Sequence, residues 1–237
     1  MKIANGANDH KIGNRSLLLY GSPKVGLSTL AAEFPDPLFL NLRDDLSRMK
    51  VKEIKITDWT GFINAGAELS QGKHSFKTLV LAHIEDLWSM LTDHITKSSN
   101  QRNGTAANNL SELSYGDWRQ ALQIFEEKLD KLFSLGNVVL LSHEVPELRN
   151  IRGLERTCFT INLERKASMI ALGKVEATGR LFVCEQDLRI LSFLPTEYQV
   201  TGSRIQALLE NKFVIREGEP PEFIHLLNQR SPEEKTA

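Results

Sequence analysis

Two cysteines in 237 residues are too few for a disulfide framework, and Cys158 and Cys184 have no metal-ligand spacing. Both read as buried or incidental thiols. No run approaches the roughly 18 consecutive apolar residues of a membrane span. The opening MKIANGANDHKIGN is polar and lacks the apolar core of a signal peptide, so the expected compartment is the cytosol. Charge of one sign is also missing. The formal net charge is −1, which excludes a global basic field as the means of binding nucleic acid. There is no internal repeat. What remains is ordinary soluble material, 41% hydrophobic and 25% charged, in a length that suits one α/β domain or a domain with a small appendage.

The apolar runs give the organisation. RSLLLYG, residues 15–21, reads as a buried strand ending at glycine. STLAAEF opens as a helix capped by Ser28 or Thr29. Further strands are expected at 38–42, 53–58, 76–82 and 137–143, with helices at 59–70, 84–96 and 116–135 between them. In the last helix Trp118, Leu122, Phe125, Leu129, Leu132 and Phe133 recur at helical spacing. Alternation of this kind implies an α/β fold, a mostly parallel sheet flanked by helices. KSSNQRNGTAANNLS, residues 97–111, has no apolar periodicity and is expected to be a mobile loop. After Pro146 the segments CFTINL, GRLFVC, DLRILSFL and KFVIRE read as β, either an antiparallel extension of the sheet or a C-terminal hairpin region. The expected division is an N-terminal segment 1–14, a domain 15–228 with a β-rich extension from about 151, and a disordered charged tail 229–237.

Between the first strand and first helix stands GSPKVGLST. A phosphate-binding loop is written G-x-x-x-x-G-K-[ST] in that context. Its glycines let backbone N–H groups converge on anionic oxygens, and the helix start adds partial positive charge. Gly21, Gly26, Ser28 and Thr29 fit. Leu27 stands where the lysine belongs and cannot neutralise phosphate charge. The candidate nucleotide ligands are therefore Gly21, Ser22, Pro23, Lys24, Val25, Gly26, Leu27, Ser28 and Thr29, chiefly through the N–H groups of 22–29. Lys24 could lean over the phosphates or remain a solvated loop lysine. Ser28 is the candidate Mg²⁺ ligand.

At these residues the chain resembles the RecA-like P-loop ATPases of bacteriophage recombination. LLLYGSPKVGLSTLAAEFPDPLFLNL looks like that family's opening strand, loop, helix and second strand. FKTLVLAHIEDL looks like its Walker B strand and following helix. LSYGDWRQAL, NVVLLSHE and TGSRIQAL resemble later segments in the same order. The resemblance implies a RecA-like P-loop fold, ATP and Mg²⁺ as cofactors, single-stranded DNA or recombination proteins as partners, homo-oligomers, no membrane, and the cytoplasm of a bacterial host. It also implies that Ser142 and His143, at a strand's C-terminal end, sense the nucleotide. Arg204 matches a basic position able to reach a neighbouring subunit's nucleotide, with Gly202 in place of the lysine beside it.

The departures are as informative. Arg43 occupies the place of the acid that polarises the attacking water, with Asp44 and Asp45 next. Ala82 occupies the place of the Walker B aspartate and is followed by His83. Glu85 and Asp86 come later, as helix N-terminal acids. Three chemical positions changed together are not one engineered lysine substitution. Phosphoryl transfer rests on positioning and charge neutralisation, so little turnover should survive. Residues 149–174 carry Arg149, Arg152, Arg156, Arg165, Lys166 and Lys174 against Glu155 and Glu164, a local excess that could track a phosphate backbone or simply be a solvated face. Only Phe159 offers a ring for base stacking within it. His10, His74, His94 and His225 are dispersed and receive no role. The leading expectation is a degenerate P-loop protein, a pseudo-ATPase that binds nucleotide, DNA or both. Its rivals are an active ATPase in which Lys24 replaces the lysine and Glu85 or Asp86 serves the metal, and a structural or regulatory partner that binds neither nucleotide nor DNA.

Overall fold

The computed structural model describes residues 15–43, 46–72, 75–209, 211–216 and 218–227. The strands are β1 (Ser16–Gly21), β2 (Pro37–Asn41), β3 (Lys52–Lys55), β4 (Thr78–Ala82), β5 (Asn137–Ile151), β6 (Leu154–Ile161), β7 (Ala177–Val183), β8 (Arg189–Ser192), β9 (Gly202–Ser203) and β10 (Lys212–Ile215). The helices are α1 (Leu27–Ala32), α2 (Trp59–Leu69), α3 (Ile84–Asn103), α4 (Tyr115–Phe133), α5 (Arg165–Lys174) and α6 (Glu222–Leu227).

The sheet order is β10-β8-β7-β1-β5-β4-β2-β3, and every pair from β7 to β3 is parallel. A central parallel strand is covered on both faces, which is why β1, β4 and β5 begin as near-unbroken apolar runs. The side-chain alternation still sorts them. Leu18, Tyr20, Leu79, Leu81, Val138 and Leu140 pack on the face carrying α2, α3, α4 and α5. Leu17, Leu19, Val80, Ala82, Val139 and Leu141 pack on the other, with α1 and α6. Asp58 starts α2 by accepting from the Gly61 N–H at 2.7 Å, and Ser114 starts α4 by accepting from the Asp117 N–H at 3.2 Å. The periodic residues of α4 are all buried or half-buried, as their spacing requires. The architecture is the expected α/β one, a mostly parallel sheet flanked by helices with a β-rich C-terminal part. No helix among the described residues is long and apolar enough to cross a membrane.

Several expectations need correction. Residues 97–111 are not a mobile loop. Helix α3 runs on to Asn103 and stops at Gly104, whose φ of 64° is the left-handed C-cap a glycine supplies. Its last turns are held from outside. Buried Asp117 of α4 accepts from Arg102 at 3.0 Å and from Ser99 at 3.4 Å. The Asn100 side chain then accepts from Thr105 and from the Ala107 N–H, fixing the turn that follows. Such polar partners leave no apolar period to read. Strand β7 is not part of an antiparallel extension but lies beside β1 in the parallel core, while β8, β9 and β10 are antiparallel. Helices α5 and α6 are additional. Strand β5 outruns its apolar half and forms with β6 a long antiparallel hairpin, Glu144↔Ile161 through Ile151↔Leu154. Residues 1–14 and 228–237, with Asp44, Asp45, His10 and His74, lie outside the described residues.

Candidate functional site

The parallel strands end together at one edge of the sheet, where α/β proteins form their ligand crevice. There β1 gives way to the loop 22–26. A Cβ on Gly21 would lie 2.3 Å from the Leu181 carbonyl oxygen, so this glycine is required by the close approach of β1 to β7. Lys24 has φ 67° and Gly26 φ 100°; left-handed geometry at a lysine is strain of the kind found at functional turns. The loop borders a cleft of about 530 Å³ lined by Ser22, Pro23, Lys24, Gly26, Leu27, Ser28, Thr29, Leu46, Met49, His83 and His143.

Leu27 is not a lysine with its charge removed. It is 5% exposed, and its side chain joins Leu17, Leu19 and Leu30 in the core beneath the loop. Positive charge reaches the loop from elsewhere. Lys24 lies exposed at the cleft mouth. The Arg189 guanidinium, from the start of β8, stands so close to Gly26 that a Cβ there would be 2.9 Å from Nη1. Sequence reading missed Arg189, because nothing in DLRILSFL shows that β8 lies two strands from β1.

The loop is braced from β5. Ser22 Oγ donates to Glu144 Oε1 at 2.5 Å, and Glu144 Oε2 accepts from Arg180 Nε at 2.8 Å. Arg180 and Glu144 are largely buried and form an ion pair, and the guanidinium lies 3.7 Å from the Phe159 ring centroid. Beneath it the Tyr20 hydroxyl donates to the Phe159 carbonyl and accepts from the Val200 N–H. Burial raises the Tyr20 pKa well above the ordinary tyrosine range, so the phenol stays protonated.

Of the expected nucleotide ligands, Gly21 and Val25 do not line the cleft, and neither does Ser142. That serine is fully buried, donating to the His143 carbonyl and accepting from the Asn162 N–H. His143 does face the cleft. Arg43 lies after β2 as expected, but its guanidinium pairs with Asp86 at 3.0 Å and borders a separate cleft with Trp59, Asp93 and His94. Arg204 donates to the Gly173 carbonyl at 3.0 Å. Arg149, Arg152 and Arg156 are gathered on the β5–β6 hairpin, while Arg165 and Lys166 belong to the first turn of α5. Arg149 and Arg156 face each other across the hairpin. Arg149 is held by Glu147 and Arg152 by Glu197.

At the end of β4, Ala82 is fully buried. His83 follows, and Glu85 folds back from the first turn of α3 onto β5. Glu85 Oε1 accepts from the His143 backbone N–H at 3.0 Å and lies 2.7 Å from His143 Nδ1. The two imidazoles stack, with centroids 4.1 Å apart and planes 12° from parallel. Magnesium is bound by oxygen donors in strict octahedral geometry. Ser28 is such a donor, but the place that the resemblance gives to the Walker B acid is held by Ala82, and the donors beside it are two imidazoles and the Glu85 carboxylate. This donor set does not fit the Mg²⁺ of a P-loop ATPase.

A parallel α/β sheet whose first strand feeds a glycine-bounded loop and helix, with a cleft over that loop, defines a domain of the P-loop ATPase type. Residues 13–205 match the family described as AAA domain, and the chain belongs to that family. A crystal structure of a KaiC-like protein from the hyperthermophilic archaeon Pyrococcus horikoshii is similar at 13% identity and a TM-score of 0.49, over 88% of each chain. No curated protein matches.

Proposed function

We propose that the chain is a nucleotide-binding P-loop subunit with little or no ATP hydrolysis, which also engages DNA in recombination or replication of the phage type. One observation carries the reading. The loop scaffold and its cleft are intact, while the lysine position is filled by a core leucine and the metal-acid position by buried Ala82. Backbone N–H groups of the loop, with Lys24 and Arg189 nearby, can hold phosphate oxygens without that lysine. The DNA part is supported by the projecting hairpin. Like charges directly opposite are destabilising, and an anionic backbone along Arg149 and Arg156 would relieve that cost.

Thermal melting with ATP, with and without Mg²⁺, tests the first part. A ligand at 100 times its Kd raises stability by about 2.7 kcal/mol, whereas no shift would favour a partner protein that binds neither nucleotide nor DNA. Turnover abolished by Lys24→Ala would favour the active ATPase instead. For DNA, affinity for single strands should fall steeply with salt, and Arg149→Ala and Arg156→Ala should each reduce the slope of log K against log salt by about one. An unchanged slope refutes the hairpin as the contact surface.

A further inference from the structure

We propose that His83, Glu85 and His143 form a binding site for a divalent transition metal of the zinc class, on the floor of the loop cleft. The three donor atoms lie within 4.8 Å of one another. They come from separate places, the residue after β4, the first turn of α3 and the point in β5 where the parallel sheet gives way to the hairpin, and are brought together by the parallel register of β4 and β5. Two imidazoles and one carboxylate are the donor set of open zinc and non-haem iron sites, in contrast to the all-oxygen set of magnesium.

The state of Glu85 supplies a second observation. Its Oε1 is occupied by the backbone N–H and ring of His143, but Oε2 is buried with no hydrogen-bond donor among the described residues. Half a carboxylate withdrawn from water without a partner is costly. A divalent cation held by the carboxylate and the two ring nitrogens would satisfy it. Zinc needs donors about 3.3 Å apart at its bond lengths of roughly 2.0–2.2 Å. The present separations bracket that value: Glu85 Oε1 lies 2.7 Å from His143 Nδ1 and 3.8 Å from His83 Nδ1, so small shifts of the three side chains suffice. The open side of the cleft leaves a fourth position for an outside oxygen ligand. Binding requires no nucleotide, so this site and the nucleotide reading can fail separately.

The test uses the full chain, freed of any affinity tag and stripped of metal, with no nucleotide present. Zn²⁺ titrated calorimetrically should bind at one equivalent and resist displacement by millimolar Mg²⁺. Glu85→Gln and His143→Ala should each weaken binding at least tenfold, while His94→Ala leaves it unchanged. X-ray absorption at the zinc edge of the wild-type protein should show two imidazoles with oxygen and no sulfur, a readout that does not depend on any variant folding. Absence of a stoichiometric site, a shell containing sulfur, equal displacement by Mg²⁺, or unchanged affinity in both site variants would overturn the proposal.

Discussion

Restoring the loop lysine by Leu27→Lys separates two roles of one position. Leu27 is 5% exposed against Leu17, Leu19 and Leu30. Burying a leucine is worth about 1.5–3 kcal/mol. A lysine keeps part of the stem packed and sends its head into the cleft, so the net loss should be about 1–3 kcal/mol. For a chain of this size each kcal/mol moves Tm by about 2–4 °C, which gives a fall of about 2–12 °C without ligand. With ATP the order should change. A charge-assisted contact to phosphate contributes about 1.5–3 kcal/mol, about 10- to 100-fold in Kd. The variant should therefore melt below wild type alone and gain more from ATP, read by scanning fluorimetry across an ATP titration. An unchanged Tm without ATP would refute the core role of Leu27. Equal gains in both proteins would refute the placement of position 27 beside the phosphates.

Three further outcomes follow from the geometry. Arg189→Ala should weaken ATP binding roughly 10-fold or more with little change in the ligand-free Tm, since the guanidinium touches the loop and is only half-buried; calorimetric titration measures it. Gly21→Ala should cost well over about 3 kcal/mol or abolish soluble expression, because the added methyl meets a backbone carbonyl at 2.3 Å and no side chain can yield; chemical denaturation checks it. The Asp117 carboxyl is held below its usual pKa, first by the Ser114 hydroxyl and further by Arg102 and Ser99. A lowered folded pKa contributes stability that is fully present above the unfolded value of about 3.9 and is lost as pH falls through the folded one. Asp117→Asn should thus destabilise the protein at pH 7 and flatten its acid-unfolding curve below about pH 5, followed by circular dichroism.

The parallel half of the fold was legible because its strands are apolar runs and its helices carry a strong period, as α4 does. The loop was legible because glycines and hydroxyls keep their spacing whatever the chemistry has become. What stayed hidden depended on polar or long-range contacts. The last turns of α3 look like loop because they are held by Asp117 and Asn100, and hydrogen bonds leave no hydrophobic signature. Arg189, Glu144 and Arg180 meet the loop only through strand order, which local pattern does not encode. His83 and His143 are sixty residues apart in sequence, and nothing short of the β4–β5 register announces that their rings stack. Ser142 was expected at a strand's C-terminal end, but β5 runs on to Ile151, and strand alternation turns the Ser142 side chain into the protein and that of His143 toward the cleft.

Glu144 is where the hairpin begins and also where the loop is tied. The carboxylate that heads the β5–β6 ladder is the one that holds Ser22 and Arg180. A substitution at Glu144 therefore acts in two places at once: it removes the acceptor of the Ser22 hydroxyl at the head of the loop, and it strands the largely buried Arg180 guanidinium at the base of the arm, a loss of about 3–5 kcal/mol for a buried pair.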